Sequence, residues 1–98
     1  MPDQLHFEDP ATANATNASA IVVAANSRRT YLLVTNLTTE PIYLAVGNAA
    51  VLNSGIPLMG KGASYEMLAR GANLSYQAVY AIHDGGAVDN AIAIQEAV

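Results

Sequence analysis

Residues 27–67 read SRRTYLLVTNLTTEPIYLAVGNAAVLNSGIPLMGKGASYEM, and this stretch decides the fold. Two apolar runs, Tyr31–Leu37 and Ile42–Val46, lie on either side of a short polar turn at residues 38–41. In the second run apolar residues recur at every other position, which is the period of a half-buried strand. The pattern therefore predicts a β-hairpin, followed by a glycine-rich loop at residues 47–62 and a third strand at residues 64–68.

Further strands are predicted on both sides of this stretch. Residues 20–25 (AIVVAA) are rich in β-branched side chains, residues 73–83 (NLSYQAVYAIH) form the longest alternating run, and residues 91–96 (AIAIQE) alternate again. About seven short antiparallel strands at roughly ten-residue spacing are typical of a small β-sandwich or barrel. We therefore expect an all-β domain over residues 20–98.

Residues 1–19 (MPDQLHFEDPATANATNAS) are polar, and their large apolar side chains after the first residue are Leu5 and Phe7. A segment with so few large apolar groups buries too little surface to offset the entropy lost on ordering. We therefore predict a flexible or extended N-terminal arm with Leu5 and Phe7 as its anchors. Whether this arm orders on a partner or remains a disordered tail is left open by the sequence.

Charged residues make up only 12% of the 98 residues, and the net charge is −4. An ordinary soluble domain has about 25% charged residues, so the composition favours a surface that is covered by other subunits. Four Lys and Arg residues are too few for the cationic patch that binding to phosphates requires, which argues against direct contact with nucleic acid. No apolar run reaches the ~20 residues of a membrane-spanning helix, and the first residues do not resemble a signal peptide.

Side chains capable of chemistry are few and scattered along the chain. The chain has no cysteine and two histidines, His6 and His83, neither of which has a partner at metal-ligand spacing. The sequence therefore predicts no catalytic, cofactor or metal site, and we expect a protein that is not an enzyme. Five tyrosines lie in the predicted strands, where closing a sheet face or a subunit contact is commoner than stacking on sugars or bases.

The central stretch resembles a family of small proteins encoded in the head gene clusters of tailed phages. The residues that carry the resemblance are YLLVTN (31–36), IYLAVG (42–47), GIPL (55–58) and GASYE (62–66), and the similarity extends over residues 20–96. Proteins of this kind are similar to capsid decoration, or cement, proteins. The resemblance implies a structural virion component, made in the host cytoplasm and located on the capsid surface.

By this resemblance the partner is the major capsid protein, and the chain is a homo-oligomer, with a trimer favoured. Candidate partner contacts are two arm residues, the arginine pair before the first hairpin strand, and two strand tyrosines: Leu5, Phe7, Arg28, Arg29, Tyr43 and Tyr65. Two other functions stay open. One is a different phage structural part, such as a head-fibre base, a head–tail adaptor or a tail protein. The other is a small carbohydrate-binding module that uses Tyr76 and Tyr80.

Overall fold

Runs of alternating apolar residues form eight β-strands in the computed structural model, which describes residues 6–98. Residues 6–98 contain no helix, and therefore no helix that is long and apolar enough to cross a membrane. The strands are β1 (Ala11–Ala15), β2 (Ala20–Val23), β3 (Tyr31–Asn36), β4 (Ile42–Val46), β5 (Ile56–Leu58), β6 (Ser64–Leu68), β7 (Val79–His83) and β8 (Val88–Ala97).

The eight strands form two antiparallel sheets of four. Sheet A has the order β1-β8-β3-β6, and sheet B has the order β2-β7-β4-β5. Buried side chains from both sheets form one apolar core, so the architecture is a small β-sandwich. The prediction of an all-β sandwich or barrel is confirmed, with β1 as an eighth strand beyond the seven expected.

The strand pairs are nested within one another along the chain. β4 pairs with β5, β3 with β6, β2 with β7 and β1 with β8, all antiparallel. The chain is thus one long hairpin whose tip is the β4–β5 connection. Rolling this hairpin up adds the pairs β3–β8 and β4–β7 and divides the strands between two sheets. Eight strands wound in this way form a jelly roll.

The hairpin predicted between β3 and β4 is wrong. β3 lies in sheet A between β8 and β6, whereas β4 lies in sheet B between β7 and β5. The connection at residues 37–41 crosses from one sheet to the other. It is organised by the fully buried Asn36, whose amide donates hydrogen bonds to the carbonyls of Glu40 and Leu58 at 2.9 and 2.8 Å.

The core follows the two-residue period of the strands. In β3, Leu32 and Val34 are fully buried, while Leu33 between them faces outward and is half-buried. Burial of each large aliphatic side chain contributes about 1.5–3 kcal/mol. The largest fully buried apolar side chains are Leu32, Val34, Ile42, Leu44, Leu58, Met67, Val79 and Ile92.

Part of the segment predicted as an arm belongs to sheet A. Ala11–Ala15 form strand β1 beside β8, in the register Ala11↔Ile94 to Ala13↔Ile92. A strand of small side chains can form here because β8 supplies an edge with which its backbone pairs. Before it, His6 exchanges two backbone hydrogen bonds with Val98, so residues 6–8 also lie along the end of β8. The folded region therefore starts before residue 20.

Candidate functional site

The chain itself covers the part of the outer face of sheet B around Tyr43 and Ile82, while Ile21 on β2 remains 55% exposed; we call this face the covered face. The loop between β4 and β5, residues 47–55, folds back over it and packs Ala50 against Tyr43 and Ile82. The Ala50 N–H donates to Oγ of Ser19 at 2.8 Å, which ties the loop to the start of β2. The Tyr43 hydroxyl donates to the side-chain oxygen of Asn53 at 3.2 Å. Tyr43 is therefore a structural residue beneath a loop.

The outer face of sheet A has no such cover within residues 6–98, and we call it the open face. Leu33 lies at its centre, half-buried, with Thr35, Ala93 and Gln95 around it. A shallow, mainly apolar depression of about 370 Å³ lies across β1, β8 and β3 on this face. It is lined by Pro10, Ala11, Thr12, Leu33, Thr35, Ala93, Ile94 and Gln95. None of these side chains is charged, so covering the depression would not desolvate an ion.

Glu66 lies on the open face, and its carboxylate is hydrogen-bonded. The Tyr31 hydroxyl donates to Oε2 of Glu66 at 2.5 Å across the β3–β6 pair. This hydrogen bond, with smaller contributions from burial and from the negative charge of Glu66, raises the pKa of Tyr31 above its usual value. Phe7 packs edge-on against the Tyr31 ring, with centroids 5.7 Å apart. The aromatic pair marks one end of the face.

Arg29 lies inside the protein, only 1% exposed, at the end of the sandwich where β3 begins. Its Nε donates to Oε2 of Glu96 at 2.6 Å, and its terminal nitrogens donate to the carbonyls of Ala24, Ser75 and Gln77. The planar guanidinium has five N–H donors in a fixed geometry, which suits several acceptors at once. This one side chain joins the β2–β3 loop, the β6–β7 loop and β8.

A polar network closes the opposite end of the sandwich. Nδ1 of His83 donates a 2.8 Å hydrogen bond to the Gly86 carbonyl, and Nε2 lies 3.2 Å from Oγ1 of Thr38. Thr38 in turn donates its backbone N–H to Asn36 at 2.7 Å. His83 is 2% exposed and ends β7 beside a turn. Its role is to satisfy buried polar groups, as expected for a histidine at the end of a strand.

Three of the four sheet edges are protected against pairing with another chain. On β6, the Asn73 side chain donates to the Glu66 carbonyl at 2.8 Å and accepts from the Leu68 N–H at 2.9 Å. It therefore occupies the position of a neighbouring strand. β5 is three residues long with Pro57 in its middle, and β2 is four residues long with a register shift. Such features prevent edge-to-edge association.

The structure does not bring the six predicted contact residues together. Leu5 lies outside the described residues, and Phe7 is 54% exposed beside the open face. Arg28 is exposed in the β2–β3 loop. The other three contact the chain itself: Arg29 bonds to Glu96, Tyr43 lies on the outer face of sheet B beneath the β4–β5 loop, and Tyr65 packs against the main core.

Sequence reasoning missed Leu33, Glu66 and Asn73. Leu33 lies in a predicted strand between Leu32 and Val34. Because successive residues of a strand point to opposite faces, its outward position could have been predicted from the sequence. The contact between Asn73 and β6 had no signal, because it depends on how the β6–β7 loop folds back.

Within residues 6–98, no three His, Asp or Glu side chains come close enough to hold a metal ion. In comparisons with known proteins, no family model, no curated protein and no solved structure matches this chain. The phage-head resemblance thus rests on the sequence segments that carry it. The geometry available for functional reasoning is the open face, the covered face and the sheet edges.

Proposed function

We propose that this chain is a structural virion protein that decorates the outside of an assembled phage head and stabilises it against internal DNA pressure. The observation that carries the proposal is the contrast between the two faces of the sandwich. One face is covered by the chain's own loop, while the other presents Leu33 and an uncharged depression to the exterior. A shallow depression lined by uncharged side chains suits contact with a protein lattice.

The topology supports the same proposal. Jelly rolls of eight strands recur in viral capsid proteins, and also in lectins and cupins. Nested antiparallel pairing joins the first and last strands in one sheet, and the buried Arg29 joins three segments at one end. A domain held together by pairs so distant in sequence resists local opening, which a protein under mechanical load requires.

The physical mechanism is linkage between binding and assembly. A protein that binds the assembled shell, and not free subunits, stabilises the shell by the free energy of that binding. In the proposed arrangement three copies form a trimer over several capsid subunits. Contacts made by one copy then raise the effective concentration of the others, so weak individual contacts produce tight attachment.

The test uses purified full-length protein and mature heads that lack it. We expect saturable binding in hundreds of copies per particle and a higher melting temperature of the head by calorimetry. Leu33→Asp places a charge on the open face and is expected to weaken binding at least about tenfold, since an unpaired carboxylate is costly to desolvate. Val51→Asp, on the loop over the covered face, is the control because it places the same charge on the other face, at an apolar residue that is 59% exposed.

Absence of binding to heads overturns the proposal. Binding of the Leu33→Asp variant at full strength, with loss in the Val51→Asp variant, overturns the assignment of the docking face. Circular dichroism of both variants checks that they are folded. Saturation at a dozen copies or fewer favours a different virion part, such as a vertex, adaptor or tail component.

Carbohydrate binding is a second candidate because Tyr76 is 54% exposed and jelly rolls also occur in lectins. Tyr76 lies in the β6–β7 loop and Tyr80 on β7, so they do not share the strand face predicted from sequence. Specific binding on a glycan array that is lost in Tyr76→Ala favours this function, and a blank array rejects it.

A further inference from the structure

The fourth sheet edge, the free side of β1, is regular over residues 11–13 and has a register shift only after Ala13. Unlike β5 it contains no proline, and unlike β6 no side chain within residues 6–98 hydrogen-bonds to its free backbone groups. We call the backbone of Ala11–Ala15 on the side away from β8 the β1 edge. Its sequence, ATANA, has no charge and no proline. No backbone hydrogen bond within residues 6–98 reaches this side from another segment. We propose that the β1 edge binds an extended segment of a partner protein, which adds a fifth strand to sheet A.

Hydrogen-bond alternation places the backbone groups of Thr12 on this edge. The Leu37 N–H donates to the Ala91 carbonyl, in register with the β3–β8 ladder, so odd-numbered residues of β8 bond to β3. The even residues Ile92 and Ile94 then bond to β1, opposite Ala13 and Ala11. Because successive residues of a strand point their backbone groups to opposite sides, Thr12 directs its N–H and C=O outward.

The same alternation can be checked on the other edge of the sheet. The Asn36 N–H donates to the Ala63 carbonyl, so odd residues of β6 bond to β3. The even residues Glu66 and Leu68 then face outward, and these are the residues whose backbone the Asn73 amide meets. The alternation of hydrogen bonds therefore correctly predicts which backbone groups of β6 face outward, because the Asn73 side chain bonds to those groups. Within residues 6–98, no side chain bonds to the outward backbone groups of β1 in this way.

The charges around the β1 edge define the partner. Glu8 and Asp9 precede β1, and Asp89 lies at its other end, where Ala15 pairs with Val88. The uncharged edge is thus flanked by carboxylates on both sides. A second copy paired antiparallel on the same edge brings Asp9 of one copy toward Asp89 of the other, which is repulsive. The edge therefore selects a segment with an uncharged, extended centre and Lys or Arg at both ends.

The depression on the open face adds a second recognition element. It begins at Ala11 and Thr12, so it adjoins the β1 edge on the outward side of the sheet. In strand addition, main-chain hydrogen bonds supply affinity and pockets for alternate side chains supply specificity. An apolar side chain of the added strand that points to the outer side reaches this depression.

The identity of the partner as a subunit of the head rests on the proposed function, whereas the edge itself is tested with peptides alone. Two capped nine-residue peptides share an alternating centre, KRTVTVTRK and EETVTVTEE. Isotope-labelled full-length protein is titrated with each peptide and followed by amide NMR signals and hydrogen exchange. We expect the basic peptide to bind at least about tenfold more tightly at low salt, an advantage that fades as salt screens the charges. We expect slower exchange of the Thr12 amide in its presence.

Thr12→Pro removes the outward N–H donor while leaving the bonds of Ala11 and Ala13 to β8, and it is expected to abolish peptide binding. Thr12→Val is the matched control, because it keeps the N–H and loses only the hydroxyl bond to Asn90. Asp89→Asn is an independent variant that leaves the backbone intact and is expected to reduce the preference for the basic peptide severalfold.

Unchanged binding to Thr12→Pro, or perturbation of β2 or β6 signals in place of β1, overturns the inference. Failure of both peptides to bind also overturns it. If the protein binds heads but not the peptides, the proposed function is supported and the inference about the β1 edge is rejected. If it binds the basic peptide but not heads, the inference about the β1 edge is supported and the proposed function is rejected.

Discussion

Nε of Arg29 donates a 2.6 Å hydrogen bond to Oε2 of Glu96, and the Arg29 side chain has no exposed surface. The carboxylate is 17% exposed, so the pair lies at the boundary of the interior. A charge in this position requires hydrogen-bond partners, and three carbonyls from two loops join Glu96 in accepting four of its five N–H donors. The hydrogen bonds of Arg29 hold the β2–β3 loop, the β6–β7 loop and β8 together at one end of the sandwich.

Arg29→Ala is expected to lower the free energy of unfolding by about 3–5 kcal/mol, because it leaves Glu96 and three carbonyls without their donor. Chemical denaturation monitored by circular dichroism measures this change. Arg28→Ala is the control: the neighbouring side chain is exposed, and its loss is expected to change stability by less than about 0.5 kcal/mol. An equal loss of unfolding free energy in the two variants contradicts the role of Arg29 in joining the two loops to β8.

Asn36→Ala is expected to cost about 2–3 kcal/mol, since it removes a buried amide that donates to two carbonyls and accepts from Thr38. Asn36→Asp is not expected to restore stability, because a carboxylate cannot donate to the Glu40 and Leu58 carbonyls. Thermal unfolding compares both variants with Asn48→Ala, a substitution at an exposed asparagine of the β4–β5 loop. A Tm for Asn36→Ala within one degree of the parent protein argues against this role.

Gly55 has a positive φ of 82°, and a Cβ added there would lie 2.5 Å from the Leu44 carbonyl oxygen. Gly55→Ala therefore combines backbone strain with a clash against backbone, and we expect a loss above about 2 kcal/mol. Gly60→Ala is the matched control, because no atom lies within 4 Å of its added Cβ. Denaturant midpoints measure both, and a neutral Gly55→Ala excludes a tight β4–β5 connection.

Tyr31 is expected to titrate above the normal tyrosine range, because its hydrogen bond to Glu66 favours the protonated phenol and raises its pKa. A raised pKa in the folded state means that the stabilising effect is present below the pKa of the unfolded chain. It is lost as the pH rises through the folded-state pKa. In NMR titrations of ¹³C-labelled tyrosine, Glu66→Gln is expected to return the Tyr31 pKa toward its usual value.

At neutral pH, Tyr31→Phe is expected to cost no more than about 1 kcal/mol. The stability difference between this variant and the parent protein is expected to shrink in strong alkali. A titration of Tyr31 that is identical with and without the Glu66 carboxylate contradicts the hydrogen bond as the cause.

The sequence predicts the strands well and their partners poorly. Alternation identified the runs that became β3, β4 and β6 because it depends only on which side chains face the core. Pairing depends on which distant segments meet, and nothing local to Thr38–Pro41 distinguishes a hairpin turn from a crossing between sheets. β1 was assigned to the arm because its small side chains carry no apolar signal; it forms because β8 supplies a complementary edge.

The candidate site shows the same division. The outward phase of Leu33 was available from the strand pattern, and the buried phase of Asn36 follows from Leu32 and Val34 in the same strand. Arg29 was interpreted as a surface charge because two adjacent arginines give no indication that one of them is buried. Its acceptors are carbonyls of loops that become neighbours only after both sheets have formed.

The nested strand order also has a consequence for how the protein is made. β8 is the last strand along the chain, yet in sheet A it lies between β1 and β3. Until the ribosome has released residues 88–97, β1 has no neighbour and β3 lacks one of its two. Sheet A therefore assembles only after synthesis has passed β8. Because its contacts span most of the chain, folding is expected to be slow for a domain of this size. During that interval the nascent protein is exposed to chaperones and proteases.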